Sequence, residues 1–371
     1  MKPHDGATYR TGAMERLNGI KSRSRILLGL QAILKRVGFA ILFLGVALLS
    51  FADTTWVSGQ IEGIWNESGS PYIVIDSSWV QDESELQVQG GTSIIIESPD
   101  GKLQLSGICR FQGTREDSIS ICINEPSDAL FSFRQNTESV RMSFTSIEGL
   151  GYFYLEADSI SFDHCNINSL HDINGGWYDA LVASSVTIDS SIMGFVWCFE
   201  ADATIKNSTY SGAIYLSFGP ASLDSLVFIG DESVGNGIVS LSSWDSDDDY
   251  EISNSIVDVL YADLRNCAAC TIALDNVAVQ QLADIQAPTA TVTNSAMRWI
   301  RIDLNSNSTI THNLFGMIQV GTSVSIEISN NTFIQLHGCW NGLPGYFISA
   351  SANGTEIVNN ILLLTIRRLQ F

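Results

Sequence analysis

The sequence is poor in proline, in charge and in helical periodicity. Its 7 Pro and 30 Gly among 371 residues are too few for a collagen-like or low-complexity chain. Only 16% of the residues are charged and 45% are hydrophobic, which excludes a disordered chain and supplies the apolar surface for a large core. No 3.6-residue apolar periodicity persists beyond the N-terminal segment, so a helical fold is excluded as well.

Basic residues are scarce outside the N-terminal segment. The first 52 residues hold eight of the 19 Lys and Arg but only two of the 40 Asp and Glu. The remaining 11 basic and 38 acidic residues give the rest of the chain a formal charge of −27. Such a surface repels phosphate backbones and anionic lipids. We therefore expect no nucleic acid partner, and no membrane partner in the mature form.

The first 52 residues follow the three-part pattern of a secretory signal peptide. Basic residues precede the apolar run Val37–Phe51, and Ser50 and Ala52 provide the small residues of a cleavage site. The pattern predicts a signal peptide with its n-region in residues 1–52 and an exported body in residues 53–371, either secreted or in the cell envelope. The n-region is long, so an uncleaved membrane anchor is the alternative.

Cysteine is sparse, and all seven residues follow the leader. An oxidising compartment permits disulfides, but the odd count leaves at least one thiol unpaired. Cys267 and Cys270 form a CxxC without a second CxxC at zinc spacing and without a βαβ context. The spacing therefore favours small core residues over a redox or metal site.

What the sequence does contain is a short repeat from residue 140 onward. Alternating apolar residues are followed by Asn or Asp, then by a small or polar residue, then by apolar residues again. The intervals between these polar residues are mostly 17 to 21 residues, with three longer ones. Such a period is typical of a solenoid with loop insertions. The repeat positions are Ser143, Asp163, Asp189, Asn207, Asp224, Asn254, Asp275, Asn294, Asn313, Asn330 and Asn359.

The repeat predicts stacked strands. Period-2 alternation rich in Ile, Val and Thr indicates half-buried strands, and a unit of about 20 residues is too short to bury its own apolar face. Coils stacked about 4.8 Å apart would bury a continuous core, with the Asn or Asp aligned at one corner. We expect an all-β chain folded as a right-handed parallel β-helix, because regular hairpin turns are missing for a sandwich and the unit is too short for a propeller blade.

The opening of the exported part carries a family resemblance. The phrases at residues 57–65, 69–74, 93–99 and 113–119 resemble the first coils of bacterial secreted right-handed β-helix repeat proteins of the pectin-lyase-like superfamily. The resemblance implies a single-stranded solenoid over nearly all of residues 53–371, with an N-terminal cap region at about 53–100. It implies no particular activity, because unrelated functions share this architecture.

Enzymes of that superfamily act on acidic polysaccharides, and their motifs are largely missing from this chain. There is no Gly-His-Gly phrase. The run Phe162-Asp163-His164-Cys165 is similar to a lyase phrase and makes Asp163 and His164 catalytic candidates. A structural explanation is also available, in which Asp163 is an ordinary repeat position, His164 a corner residue and Cys165 an inward-facing core residue. Arg298 and Arg301 are the nearest substitutes for the paired arginines of a lyase.

An acidic run offers a calcium candidate. Asp245, Asp247, Asp248 and Asp249 could supply oxygen ligands, and calcium could then bridge the acidic protein to an acidic glycan. The run lacks the glycine and the alternate spacing of a dedicated calcium loop, which favours a solvated turn over a calcium site. Otherwise the sequence predicts no cofactor.

Three insertions begin at a similar phase after their repeat positions. They cover residues 171–179, 230–237 and 337–346, and equal phase in a solenoid predicts that they rise from one edge. Their aromatic and polar residues suit stacking on neutral sugars, although loop aromatics also cover cores. The predicted ligand-binding residues are Trp177, Tyr178, Asp179, Trp244, Trp340 and Tyr346.

The sequence therefore predicts an exported, non-catalytic β-helix that binds a polysaccharide or a cell-surface glycan, or otherwise acts in the cell envelope. The alternative is a polysaccharide lyase or glycoside hydrolase that works in a groove along one edge of the solenoid. A pair of carboxylates, or a carboxylate beside Arg or His, converging in such a groove would favour the enzyme.

Overall fold

A computed structural model describes most of residues 54–371. The described residues exclude 98–99, 125–129, 150–151, 168–179, 195, 230–236, 244–246, 305–307, 322–325, 336–347, 351–355 and 365–371. The predicted leader, residues 1–52, lies outside the described residues.

The described chain is all-β, as predicted. It contains 35 strands and one short 3-10 helix, Glu67–Gly69. Every strand pairing is parallel, and each strand pairs with its counterparts in the preceding and following coils rather than with its neighbour in sequence. This topology confirms a parallel β-helix, in which each coil contributes to three sheets.

The longest strands bend through two of the three sheets. They are β1 (Thr55–Gln60), β3 (Tyr72–Trp79), β6 (Lys102–Gln112), β8 (Leu130–Ser143), β24 (Ile256–Asp263), β26 (Ala278–Ala287), β28 (Ala296–Leu304) and β30 (Leu314–Val320). The second halves of β6 and β8 belong to the first sheet. The other six begin in the second sheet and end in the third.

The first sheet contains the repeat strands that precede the polar corner. Besides parts of β6 and β8, it consists of β2 (Gly63–Trp65), β4 (Glu85–Gln89), β11 (Ser159–Asp163), β14 (Ser185–Asp189), β17 (Asp202–Lys206), β20 (Ala221–Asp224), β23 (Asp249–Ser253), β25 (Thr271–Asp275), β27 (Thr289–Thr293), β29 (Ser308–Thr311), β31 (Ile326–Ser329) and β34 (Glu356–Val358).

The second sheet follows that corner, and the third sheet completes the coil. The second sheet adds β5 (Ser93–Glu97), β7 (Ile119–Asn124), β9 (Thr145–Gly149), β12 (Asn166–Ile167), β15 (Ile192–Met193), β18 (Thr209–Tyr210), β21 (Val227–Phe228), β32 (Thr332–Gln335) and β35 (Ile361–Leu364). The third adds β10 (Tyr152–Glu156), β13 (Ala180–Val182), β16 (Val196–Phe199), β19 (Ile214–Ser217), β22 (Ile238–Ser242) and β33 (Ile348–Ala350).

Period-2 alternation places one apolar face of every coil inside. In β11, Ile160 and Phe162 are almost fully buried, while the three residues alternating with them are partly exposed. Columns of buried apolar residues stack along the axis because successive strands pair without a shift, as in β11 on β14 and β14 on β17. This continuous core supplies the burial that a single coil cannot provide.

The corner between the first and second sheets has a left-handed backbone. Its residues have φ between 44° and 60°, a region that costs most side chains about 1–2 kcal/mol and that Asn tolerates best. Asn therefore recurs there. The corner residues are Phe144, His164, Ser190, Asn207, Ser225, Asn254, Asn276, Asn294, His312, Asn330 and Asn359.

The predicted polar column is confirmed as a feature but corrected in register. Asn207, Asn294 and Asn330 occupy the corner as expected. Asn313 lies one residue past it, because His312 takes the left-handed position. The aspartates among the repeat positions, together with Ser143, end their strands one residue before the corner. Asn, Asp and Ser are common turn residues both at the corner and just before it, so the spacing of these residues in the sequence does not distinguish the two positions.

The residue after the corner points inward and forms a second, interior ladder. Asn313 Oδ1 accepts from the Ser295 backbone N–H at 2.8 Å, and Asn331 Oδ1 accepts from the Asn313 N–H at 2.9 Å. Serines do the same in earlier coils, where Ser208 Oγ accepts from the Ser191 N–H at 3.2 Å. These side chains are at most 3% exposed, so each satisfies a backbone group that water cannot reach.

Candidate functional site

Asp163 and His164 lie together at the corner. His164 Nδ1 is 2.7 Å from Asp163 Oδ1, and both side chains are half exposed. The His164 ring stacks on Phe144 at a centroid distance of 4.6 Å, and Cys165 is 2% exposed in the core. Asp163 thus occupies a repeat position, His164 the corner and Cys165 an inward-facing core position. No other carboxylate or basic group is hydrogen-bonded to this pair within the described residues.

The structure separates the two candidate arginines. Arg298 is exposed where β28 turns from the second sheet to the third. Arg301 lies further along β28, on the outer face of the third sheet, with Nη1 3.6 Å from Asp284 Oδ2. Only Arg301 therefore joins a cluster of charged side chains.

The predicted aromatic ligands lie outside the described residues. This holds for Trp177, Tyr178, Asp179, Trp244, Trp340 and Tyr346. The flanking strands nevertheless locate the three insertions in the coil. Each one separates a strand of the second sheet from a strand of the third: β12 from β13, β21 from β22, and β32 from β33. The insertions thus occur at the same passage of the coil. Trp244 follows the third sheet instead and precedes β23.

The acidic run enters the first sheet at β23. Asp245 lies outside the described residues, and Asp247 is exposed. Asp248 is 7% exposed and accepts a hydrogen bond from Ser243 Oγ at 2.8 Å, while Asp249 accepts one from Thr271 Oγ1 at 2.5 Å. Within the described ranges, no three His, Cys, Asp or Glu side chains converge as a metal-binding group.

The cysteines that the structure describes are mainly core residues. Cys109, Cys165 and Cys198 are at most 2% exposed, and burial raises their thiol pKa values to about 12, 11 and 12. Such thiols are poor nucleophiles at neutral pH. Cys267 and Cys270, in contrast, form a disulfide in the loop between β24 and β25, and both are buried.

The outer face of the third sheet carries a row of aromatic rings that sequence patterns did not single out. We call Trp197, Phe199, Tyr215, Phe218 and Tyr261 the aromatic lane. Trp197 pairs with Tyr215 on adjacent strands, and Tyr261 follows two strands further in the same column. Their rings face outward because the alternating residues, such as Cys198 and Leu216, fill the core.

Three of the five rings of the aromatic lane pack against one another. Phe199 packs edge-on against Trp197 at 6.3 Å and against Phe218 at 5.2 Å. Tyr261 is 42% exposed, whereas the other rings are half buried. Edge-to-face contacts restrict ring orientation, so Trp197, Phe199 and Phe218 present ordered apolar surface.

A polar cluster continues the same column. We apply this name to Asp263, Arg265, Asp284, Arg301 and Asp303. Tyr261, Asp284 and Arg301 are direct neighbours on β24, β26 and β28, about 4.8 Å apart per strand. Aromatic and charged groups therefore form one continuous surface.

Ion pairs organise the polar cluster. Arg265 donates from Nε and Nη2 to the two carboxylate oxygens of Asp263, both at 2.8 Å, and these hydrogen bonds lower the pKa of Asp263. Arg265 also interacts electrostatically with Asp303 and Asp284. Three carboxylates and two guanidinium groups thus lie on one part of the third-sheet surface.

Asp284 has the most distinctive environment in the cluster. Its side chain is 14% exposed, and its Oδ1 atom is buried without a hydrogen-bond donor among the described residues. A buried acceptor without a donor is costly, which sets Asp284 apart from the other carboxylates of the polar cluster.

The alternating pattern of these strands could have located this surface. Alternate residues face out in β16, in β19 and in the third-sheet halves of β24, β26 and β28. Trp197, Tyr215, Tyr261, Asp284 and Arg301 all occupy such outward positions. Their alignment depends on the irregular coil lengths between them, which the intervals alone did not resolve.

The remaining observations concern membrane-spanning segments and similarity to known proteins. Within the described ranges, no helix combines the length and apolarity needed to cross a bilayer. A scan against protein-family models, a search of curated proteins and a search of solved structures each return no match to this chain. The pectin-lyase-like resemblance therefore stays an interpretation of the opening phrases.

Proposed function

We propose that the protein is an exported, non-catalytic β-helix that binds a polysaccharide or cell-surface glycan on the outer face of the third sheet. The carrying observation is the continuity of the aromatic lane with the polar cluster, from Trp197 to Arg301. Sugar rings have apolar faces that stack on aromatic side chains and hydroxyls that bond to carboxylates and guanidinium groups.

The dimensions of the surface suit an extended ligand. The column from Trp197 to Arg301 crosses β16, β19, β22, β24, β26 and β28, a distance of about 24 Å at 4.8 Å per strand. The strands that follow two of the insertions, β13 and β22, both belong to the third sheet, and β13 pairs directly with β16 at the start of this column.

The charge of the protein favours a neutral glycan. The chain has a formal charge of −21, and the polar cluster itself contains three carboxylates against two arginines. An acidic polysaccharide would be repelled unless a divalent cation intervened. We therefore assign the lane to uncharged sugar units.

Export accounts for the remaining features. The leader pattern of residues 1–52 and the buried Cys267–Cys270 disulfide both suit an oxidising compartment outside the cytoplasm. Mass determination of the protein recovered outside the producing cell would test this part, and a chain retaining residues 1–52 in the membrane fraction would contradict it.

Binding is tested with the purified protein and a set of neutral and acidic polysaccharides in affinity electrophoresis. Tyr261→Ala should weaken retention by a neutral glycan about tenfold, because a stacked ring is removed. Trp79→Ala is the matched control, since Trp79 is 40% exposed on the same sheet but at its N-terminal end. Equal losses in both variants, or retention by none of the glycans, would overturn the proposal.

The enzyme alternative is favoured by one observation, the grouping of Asp284 and Asp303 around Arg265 and Arg301. Two carboxylates beside a sugar-binding face are the elements of glycoside hydrolysis. Release of reducing ends or unsaturated products that disappears in both Asp284→Asn and Asp303→Asn would establish this function. Binding without turnover would leave the non-catalytic function in place.

A further inference from the structure

One of the connections between the third and first sheets is enlarged and cross-linked. This connection is two residues long between β13 and β14 and between β16 and β17, and a single residue long between β26 and β27. Between β24 and β25 it contains the seven residues 264–270. The Cys267–Cys270 disulfide lies within it, and both cysteines are at most 4% exposed. We call residues 264–270 the cross-linked loop.

The cross-linked loop begins with a closed turn that carries Arg265. Leu264 is fully buried, and its N–H donates to the Gln286 carbonyl of the third sheet at 2.7 Å. The Cys267 N–H donates to the Leu264 carbonyl at 3.3 Å, which leaves Arg265 and Asn266 at the exposed tip of the turn. The loop is therefore anchored in the core on one side of Arg265.

The disulfide attaches the other side of this turn to the first sheet. Cys267, which closes the turn, is bonded to Cys270, and the Cys270 N–H also donates to Cys267 Sγ at 2.9 Å. The next residue, Thr271, begins β25, and its N–H donates to the Asp248 carbonyl at 3.1 Å. The turn is thus held by the third sheet at one end and by the first sheet at the other.

Arg265 connects the cross-linked loop to the polar cluster. Its Nε and Nη2 atoms donate to the two carboxylate oxygens of Asp263, and it interacts electrostatically with Asp303 and Asp284. Two guanidinium donors on one carboxylate require a defined orientation of both groups. A change in the backbone of the turn would therefore separate Arg265 from Asp263.

The ionisation of Asp263 depends on the position of Arg265. Asp263 lies between Ser242 of β22 and Gln286 of β26, which are both uncharged. Hydrogen bonding from Arg265 is the largest cause that lowers the pKa of Asp263, and Coulomb attraction to the same guanidinium group adds to it. A movement of Arg265 away from this carboxylate would remove both contributions.

We propose that the Cys267–Cys270 disulfide is a positioning element of the glycan-binding surface, because it holds Arg265 in the polar cluster. The effect on binding rests on the proposed function, whereas the effect on the pair of Arg265 and Asp263 needs no ligand. A constrained loop loses less conformational entropy than a free one when Arg265 donates to a sugar hydroxyl. The disulfide therefore favours binding without contacting the glycan.

The first test follows the Asp263 carboxyl group by NMR titration in the parent and in Cys267→Ala/Cys270→Ala. We expect the pKa of Asp263 to rise in the variant toward its ordinary value of about 3.9, because Arg265 is no longer held beside it. An unchanged pKa of Asp263 would show that the disulfide only stabilises the fold, and it would overturn the inference.

Two further variants control for folding. Asn331→Ala destabilises the interior ladder several coils away and should leave the pKa of Asp263 unchanged, so a rise in this control as well would overturn the inference. Cys267→Ser/Cys270→Ser keeps an acceptor for the residue 270 N–H. If circular dichroism shows that the alanine variant is misfolded, the serine variant takes its place with the same expected result.

The second test measures retention by a neutral glycan in affinity electrophoresis. Arg265→Ala and Cys267→Ala/Cys270→Ala should each weaken retention about fivefold, because each removes an ordered donor. Since the disulfide acts through Arg265, the triple variant should retain the glycan as well as Arg265→Ala does. Additive losses in the triple variant would overturn the inference.

Tyr261→Ala separates a failure of this inference from a failure of the proposed function. If Tyr261→Ala weakens retention and the cysteine variant does not, the proposed function stands and the positioning role is wrong. If Tyr261→Ala binds like the parent, the proposed function is wrong, and the Asp263 titration alone then decides whether the disulfide positions Arg265.

Discussion

Asn330 and Asn331 are adjacent, identical in chemistry and opposite in role. Asn330 lies at the exposed outer side of the corner with φ of 57°. Asn331 is fully buried, donates from Nδ2 to the Ile310 carbonyl at 2.8 Å and accepts from both the N–H and the side-chain amide of Asn313. The outer residue permits the turn, whereas the inner one satisfies the backbone of neighbouring coils.

The difference teaches that the two sides of the corner depend on different physics. Outside, Asn is favoured by backbone conformation, and its exposed amide can bond to a neighbouring side chain, as Asn294 does to Asp275. Other residues are tolerated there, including Phe144 and His312. Inside, the side chain must fit a dry core and pair with fixed backbone groups, so its replacement leaves polar atoms unsatisfied.

The largest effect is expected when the inner amide is removed. Asn331→Ala should lower the free energy of unfolding by about 3 kcal/mol, because the Asn313 N–H and the Ile310 carbonyl both lose their partner in the core. Urea unfolding measures the change. Asn330→Ala is the control and should cost about 1 kcal/mol, and equal costs would erase the distinction between the two sides.

A smaller loss is expected in the serine part of the interior ladder. Ser295→Ala removes the hydroxyl that accepts from the Val277 N–H at 3.1 Å, and we expect a cost of about 1.5 kcal/mol. Thr293→Ala, two residues earlier on the exposed side, removes a hydrogen bond to Asp275 and should cost less than about 0.5 kcal/mol. A greater cost for Thr293→Ala in urea unfolding would contradict this ranking.

The outer corner itself can be isolated by a glycine comparison. Asn294 has φ of 51°, so Asn294→Ala should destabilise by about 1 kcal/mol through backbone strain. Asn294→Gly should be within about 0.5 kcal/mol of the parent, because glycine adopts this conformation freely. If both variants lose the same stability, the amide contact to Asp275 at 2.7 Å, and not the backbone, determines the preference for Asn.

The smallest effect concerns acid stability of the outer side. Hydrogen bonds from Thr293 and Asn294 lower the pKa of Asp275, so the folded state favours its carboxylate. That contribution is present above the unfolded pKa of about 3.9 and is lost as pH falls through the lower folded value. Asp275→Asn should therefore lose less stability than the parent between about pH 4 and pH 2.

Thermal or urea unfolding across that pH range measures the difference. Asp247→Asn is the control, because Asp247 is exposed outside the ladder and should leave the pH dependence close to that of the parent. An unchanged slope in Asp275→Asn would show that the outer hydrogen bonds add no pH-dependent stability.

Much of the fold could be predicted from the sequence because stacking repeats one pattern. The apolar alternation of residues such as Ile160 and Phe162 defines the inward face, and the period near 20 residues defines the coil. The exact corner could not be predicted, since Asp275 ends a strand, Asn276 turns and Val277 faces inward, and only backbone geometry separates such neighbours.

The candidate site could be predicted only in fragments. The Arg298 and Arg301 pair makes Arg301 a candidate from the sequence, whereas nothing in the sequence distinguishes Asp284 from the other acidic residues. The pairing of β26 with β28 places Asp284 beside Arg301. Trp197 and Tyr261 are 64 positions apart in sequence. Coils of unequal length lie between them, so their shared column emerges only from the pairing of the intervening strands.

The placement of all three insertions at the passage from the second to the third sheet has a practical consequence. Up to a dozen residues separate β12 from β13 and β32 from β33, yet the strands that follow resume full parallel pairing. Insertions of different length are therefore accommodated at this connection without disturbing the parallel pairing of the strands on either side. A peptide tag or sensor domain grafted between β18 and β19, at the same passage, should be displayed beside the aromatic lane while the cylinder stays intact.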